Sequence, residues 1–253
     1  MSNLALACTL IFVAVTAVLS LKQKLGLEKE IAIGTVRSAV QLLFIGYVLH
    51  AVFSAQKPII IVLIVACMIA VAAWNAGGKA RQLRGIRVRI AAALLCTEAI
   101  TMALLLGLRM IEPEAQHIIP ISGIIIGSSM IVCGLYLNQM RREMDTARGE
   151  IEALLALGAT AKQAMKRSIR RGVRGSMIPT LDAMKTVGLV QLPGMMTGMI
   201  VAGADPIEAV RYQMLIMFLL ASSAALTAML LSSISYKLWF NEELQLIELP
   251  DKD

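Results

Sequence analysis

Residues 187–203 read "VGLVQLPGMMTGMIVAG". The stretch carries no charge and is apolar enough to lie in a bilayer. A glutamine, a Pro-Gly step and three methionines nevertheless interrupt it near its middle. Pro193 has no N–H, so a helix through it would leave the carbonyl of Leu189 without its partner, and Gly194 offers no side chain to cover the gap. Bare backbone at membrane depth is tolerated only where protein or water meets it. The stretch therefore predicts a kinked or broken helix at the centre of a bundle, and the rest of the chain has to supply that bundle.

The composition does so. Of the 253 residues, 58% are hydrophobic and 16% charged, with a mean hydropathy of +0.75, well outside the range of soluble domains. Runs with little or no charge lie at residues 3–21, 38–53, 58–74, 90–108, 118–138, 186–204 and 212–232. Most reach the roughly 20 residues that about 30 Å of hydrocarbon requires. The second does so only if it starts near Ile31 and includes Arg37. The expected fold is an all-α integral membrane protein with about seven transmembrane helices, one transmembrane domain over residues 1–253. Cys8, Cys67, Cys96 and Cys133 each stand alone inside a span, so no disulfide framework is expected.

The basic residues give the orientation. Only Lys57, Arg109 and Arg211, 3 of the 24 Lys and Arg, fall in one set of alternate loops; the rest lie in the other set or in the C-terminal tail. The positive-inside rule puts the basic loops in the cytoplasm, the N-terminus outside and the C-terminus inside. The net charge of +7 is then a topology signal. The basic residues are scattered and lack interleaved aromatics, which argues against a nucleic-acid footprint. The tail "EELQLIELPDKD" reads as a solvated end.

A connection of about 47 residues, 139–185, separates the fifth and sixth runs. It is too long for a simple loop and too polar for a span. "MRREMDTARGEIEALLAL" continues the fifth span into the cytoplasm, "GAT" turns, and "AKQAMKRSIRR" forms a short basic helix ending at Gly172. Thr160 and Gln163 have the spacing of a capping box. A second short helix is expected around "PTLDAMKTV", with Pro179 in its first turn. A loop of this kind can present a short helix to a groove on another protein. It can equally lie on the membrane with its Lys and Arg toward anionic lipid.

"EALLALG", Glu152 to Gly158, resembles the coupling loop of ABC-transporter permeases, an EAA pattern with a glycine four residues after its last alanine; Leu154 stands for the second alanine. The chain contains no GxxxxGK[ST], and its nearest run, "GGKA" at Gly77, lacks the first glycine and the hydroxyl. Together with "LGATAKQA", "AVQLLFIGYVL", "AAWNA" and the run from Ile178 through "LPGMMTGMIVAGADPIEAVRYQMLIMF", the loop makes the chain similar, from about Leu25 to Leu231, to the bacterial iron-export ABC permease family, which also includes plant aluminium-tolerance permeases.

That resemblance implies a multi-pass permease subunit of the bacterial inner membrane. Such a subunit is expected to work as a homodimer, served by a cytoplasmic ATP-binding cassette subunit that holds ATP and Mg. No cofactor is expected on this chain, and it is not expected to be an enzyme. Coupling would fall to Glu152, Ala153, Gly158, Ala159, Thr160 and Gln163. Where the family's fifth span reads GN-x-M, this chain has Gly127-Ser128-Ser129-Met130, which leaves the role of Ser128 open.

The polar residues inside spans are candidates for a translocation path. Arg37 and Gln41 share one helix face, and Arg37 can alternatively snorkel to the surface. Glu98 lies in mid-span, where an unpaired carboxylate costs several kcal/mol. Gln191, Pro193, Gly194, Met195, Met196 and Met199 complete the set with Ser128. Gly123 with Gly127, and Gly194 with Gly198, form GxxxG pairs that suit close helix approach within or between subunits. An ATPase-independent secondary transporter or channel using Glu98 remains an alternative. The resemblance also implies export of a nucleotide sugar as an alternative, a cargo associated with some plant members of the family. Thioethers prefer softer ions than iron, so Met195, Met196 and Met199 do not themselves indicate iron, and the metal ligands are unknown from sequence.

Overall fold

Ten helices carry the described part of the chain, which in this computed structural model comprises residues 3–55, 58–241, 243 and 245–247. Lys57, Lys252 and the end of the acidic tail lie outside it. Among the described residues no strand forms; Val187 with Gln191 and Phe240 with Leu246 make two isolated bridges. All four cysteines are free.

Residues 1–57 form one unit. Its helices α1 (Asn3–Lys22) and α2 (Glu28–Ala55) pack on one another. The turn between them is held by Ser20, whose hydroxyl donates to Glu28 Oε2 at 3.1 Å and accepts from the Leu27 N–H at 3.2 Å. The second span thus begins before Ile31, and Glu28–Leu49 is apolar and long enough to cross a membrane with Arg37 included. In α1, Cys8–Lys22 is a shorter apolar stretch.

The second unit begins at Pro58. It comprises α3 (Pro58–Gly77), α4 (Ile86–Gly107), α5 (Ala115–Thr146), α6 (Arg148–Ala156), α7 (Ala161–Ala164), α8 (Lys166–Thr186), α9 (Gly194–Val201) and α10 (Pro206–Ser235). Pro58–Ala80, Ile86–Gly107, Ala115–Thr146 and Pro206–Trp239 are each long and apolar enough to span a membrane, which with α2 makes five such helices among the described residues. α10 starts at a cap: Asp205 Oδ1 accepts from Ile207 N–H at 2.8 Å and Glu208 N–H at 3.2 Å, with Pro206 in the first turn. The main core lies where α3, α4, α5 and the end of α10 meet, around Ile90, Cys133, Tyr136, Met140 and Leu231.

Three sequence expectations change here. Residues 186–204 do not form one helix of spanning length. α8 ends at Thr186, whose carbonyl accepts from the N–H groups of Leu189, Val190 and Gln191, and Gly188 turns with φ +82°. Pro193 then sits at the N-cap of α9, an eight-residue helix of roughly 12 Å. Of the kink and the break expected here, the chain takes the break, and Pro193 starts the second piece. The element that runs the length of the bundle is composite. α8 follows α5 backwards, Gly172 meeting Met140 and Tyr136 and, further on, Met177 meeting Val132. Beyond the turn, Met195 reaches the cluster of Leu105, Ile121 and Ile216 at the other end.

Gly172 does not end a helix, and Pro179 does not begin one; both lie inside the continuous α8. The buried positions Ser168, Gly172 and Ser176 recur every fourth residue and make a stripe of small side chains that admits α5 closely. A Cβ on Gly172 would lie 2.7 Å from Met140 Sδ and 3.3 Å from the Tyr136 ring. Close approach is therefore the reason for this glycine.

The tail is solvated at Glu243 and Gln245 but not at Leu246, which is buried. Trp239, Phe240 and Leu246 are buried in the main core with Met144 and Ile151. The Arg148 guanidinium also donates to the Leu246 carbonyl at 3.5 Å.

Candidate functional site

Two regions of the second unit gather the residues singled out in the sequence. The first follows α5 at the basic end of the bundle. α6 ends at Leu157, Gly158 takes φ +87°, and Thr160 caps α7. The Gln163 N–H donates to Thr160 Oγ1 at 3.4 Å and the Thr160 N–H to Gln163 Oε1 at 2.9 Å, so the capping box is complete. A side chain at φ +87° is strained, which favours glycine at 158.

The hairpin is tied back by ion pairs. Arg167 Nη1 lies 2.9 Å from Glu150 Oε1, and Arg171 Nε lies 2.6 Å from Glu143 Oε2. These pairs are partly exposed and contribute little singly. Burial of Ile151, Ala164 and Met165 in the main core is the stronger anchor. Glu152 pairs with Arg148 at 3.9 Å and borders a cleft of about 640 Å³ with Ala159 on one side and Glu243 and Gln245 of the tail on the other. Ala153 lies on the exposed side of α6.

The second region lies at the turn between α8 and α9. A cleft of about 350 Å³ is lined by Ser128 from α5, Pro179 and Ala183 from α8, Gln191 and Pro193 from the turn, and Gln213 from α10. A second cleft, of about 380 Å³, shares Pro193 and Gln213 and adds Met196. Ser128, Gln191, Pro193 and Met196 are thus brought together. Met195 packs in the apolar cluster with Leu105 instead, Met199 lies half-buried on α9, and Gly194 is exposed. Arg37 and Gln41 belong to the N-terminal unit, where both are exposed.

Sequence reasoning missed Gln213, 6% exposed with its Oε1 unpartnered, between the two clefts. Its one signal was a glutamine in the first turns of an otherwise apolar run. Also missed was a buried hydroxyl network. Thr227 Oγ1 lies 2.9 Å from Thr97 Oγ1 and 3.0 Å from Ser129 Oγ, linking α10 to α4 and α5. Of the adjacent serines, Ser128 faces a cleft and Ser129 joins this network. Glu98 is 4% exposed beside it, and lines neither cleft.

The GxxxG pairs differ too. A Cβ on Gly123 would lie 3.3 Å from Met68 Cε, whereas Gly127, Gly194 and Gly198 have no such neighbour among the described residues. At the far end of α4 and α5, ligand atoms of Glu112, Glu114 and His117 lie within 4.8 Å of one another, a set of residue types able to hold a metal ion.

A family model described as Uncharacterised protein family (UPF0014) matches residues 3–240. The chain belongs to that family. Among UPF0014 relatives, the chain is 47% identical to "UPF0014 membrane protein YjkA" of Bacillus subtilis (strain 168), over 97% of this chain and 98% of the relative. It is 37% identical to "Probable iron export permease protein FetB" of Escherichia coli (strain K12), over 97% and 95%. It is 35% identical to "Protein ALUMINUM SENSITIVE 3" of Arabidopsis thaliana, over 95% and 88%. No solved structure matches this UPF0014 chain. The family resemblance read from the LPGMM segment and the coupling loop agrees with these relatives, and the five long apolar helices agree with membrane proteins among them.

Proposed function

We propose that this chain is the permease subunit of an ABC-type exporter that moves iron or another metal ion across a bacterial inner membrane. ATP with its Mg is hydrolysed on a separate cytoplasmic subunit, and two permease chains pair, each supplying one membrane domain. The observation that carries the reading is the hairpin of α6, Gly158 and capped α7. It is a short hairpin at the basic end of a membrane bundle, fixed by its capping box and by burial of Ile151, Ala164 and Met165 in the core that also holds residues of α4, α5 and α10. Such a hairpin can transmit a push from an ATPase to the helices. Glu152, Ala153, Gly158, Ala159, Thr160 and Gln163 form the contact. The relative named for iron export and the oxygen and nitrogen donors of Glu112, Glu114 and His117 support a metal cargo.

The substrate path follows the two clefts at the α8–α9 turn, with Ser128, Gln191, Pro193 and Met196 joined by Gln213, and with Gly194, Met195 and Met199 moving as α9 moves. The α8–turn–α9 element supplies the crossing that residues 186–204 lack as a single helix. With α1 included, the basic loops and the C-terminus then face the cytoplasm. An ATPase-independent transporter is the second reading, favoured by the buried carboxylate of Glu98.

Co-expression with the ATP-binding subunit tests the proposal. Glu152→Lys and Gly158→Val are expected to leave the permease inserted, to abolish co-purification of the ATPase and to abolish metal efflux. Normal co-purification and efflux in both variants would return the hairpin to a role on the membrane surface.

A further inference from the structure

Glu98 sits near the middle of α4, and neither of its carboxylate oxygens has a hydrogen-bond partner among the described residues. It is 4% exposed. The helices packed against α4 are α3, α5 and α10. Along residues 58–77 of α3, 118–140 of α5 and 213–235 of α10, the sequence holds no Lys, Arg, His, Asp or Glu. The titratable groups on those stretches are Cys67, Cys133 and Tyr136, none of them a cation. On α4 itself the basic residues are Arg87 and Arg89. Arg89 is nine positions away, about 13 Å along the axis.

The described stretches of α3, α5 and α10 that pack against α4 therefore offer no countercharge to a carboxylate buried in their midst. The polar group facing it is the Ser122 hydroxyl of α5, fully buried and itself without a well-formed hydrogen bond. The neighbouring hydroxyls are already engaged: Thr101 donates to the Thr97 carbonyl at 2.7 Å, and Thr227 bonds to both Thr97 and Ser129.

An uncompensated buried carboxylate costs several kcal/mol, and a group kept at that cost in a membrane bundle calls for a compensating partner from outside the chain. We propose that Glu98, with Ser122 beside it, is a cation-binding site in the core of this subunit, filled by a small cation that oxygen ligands take: a proton or a divalent metal ion. Carboxylate and hydroxyl oxygens suit hard ions and reject the soft Cu(I) that the methionines of α9 would suit. The site is separate from the clefts at the α8–α9 turn and is set one residue from the hydroxyl network that ties α4, α5 and α10. Loading it would bias how those three helices pack, which is how an internal cation would be linked to the transport cycle. That last link rests on the permease reading; the binding itself does not.

The experiment uses the full chain in lipid nanodiscs, wild type and Glu98→Gln. Infrared spectra are recorded in metal-free buffer, and Mn²⁺ binding is followed by electron paramagnetic resonance. A protonated-carboxyl stretch in the metal-free wild type, absent from Glu98→Gln, identifies the occupant as a proton. Tight Mn²⁺ binding by the wild type that is lost in Glu98→Gln identifies it as a metal ion. An infrared spectrum with every carboxyl ionised, together with no Mn²⁺ binding that depends on Glu98, overturns the proposal. If Glu98→Gln fails to fold, glutamate-labelled wild type supplies the same infrared readout, and Ser122→Ala, expected to shift the carboxyl band or weaken Mn²⁺ binding, replaces it. Efflux with the ATPase partner is measured in parallel. Wild type that binds a cation but drives no ATP-dependent efflux would sink the permease reading and leave the site standing.

Discussion

The turn at Gly158 and the turn at Pro193 look alike in sequence: each places a glycine and a helix-starting residue between two helical runs. They differ in what holds them. At Gly158 the local chemistry is complete within six residues, since a left-handed glycine, a threonine cap and a reciprocating glutamine fix the geometry by themselves. At Pro193 the chain turns through a carbonyl shared among three N–H groups, and the residues around it are placed by α5, α8 and α10. A locally encoded turn makes a rigid projection suited to pushing on or being pushed by a partner. A turn held by its neighbours can change when they move, which suits a path that opens and closes.

Beyond the loss of coupling expected for Gly158→Val, the largest effect should come from the packing that supports the second turn. Gly172→Val would drive a side chain into Met140 and Tyr136, both fully buried. Overpacking of this kind costs about 1–3 kcal/mol. The purified variant is expected to melt at clearly lower temperature. Unchanged melting would show that α8 does not depend on the close approach to α5, and the contrast between the two turns would fail.

Thiol labelling probes the second turn more finely. Single cysteines at 191, 195, 196 and 199 in a cysteine-free background are expected to react unequally with a small charged reagent in the resting state. Position 191, exposed at the turn, should react fast, and position 196, buried, slowly. Addition of ATP and the partner subunit should change the rate at 196. Equal rates at all four positions in both states would make the LPGMM segment packing alone.

The smallest effect belongs to the local turn. Thr160→Ala removes one half of the capping box and should destabilise by about 1 kcal/mol, with Thr160→Ser restoring most of it. Efflux should fall only modestly, because Ile151, Ala164 and Met165 still anchor the hairpin. A collapse of efflux would mean that the cap itself transmits the coupling.

Long charge-free runs were enough to identify the helices of α2, α3, α4, α5 and α10, because a bilayer imposes length and apolarity on each crossing independently of its neighbours. The capping box at Thr160 and Gln163 was equally legible, its bonds lying within one turn of helix. The membership of the family was legible in the same way, in the quoted motifs. Hydropathy could not reveal that the sixth run breaks into the end of α8, a turn and α9, because α8 is basic along one face and is held by a stripe of small residues against α5. Nor could it place Gln213, Ser128 and Gln191 around one cleft, or bury Trp239 and Leu246 in the main core. Those are contacts between residues far apart in the chain, and only the packing of helices decides them. Glu98 stands between the two cases: the sequence marked it as costly, and the fold showed that none of the described residues compensates for it.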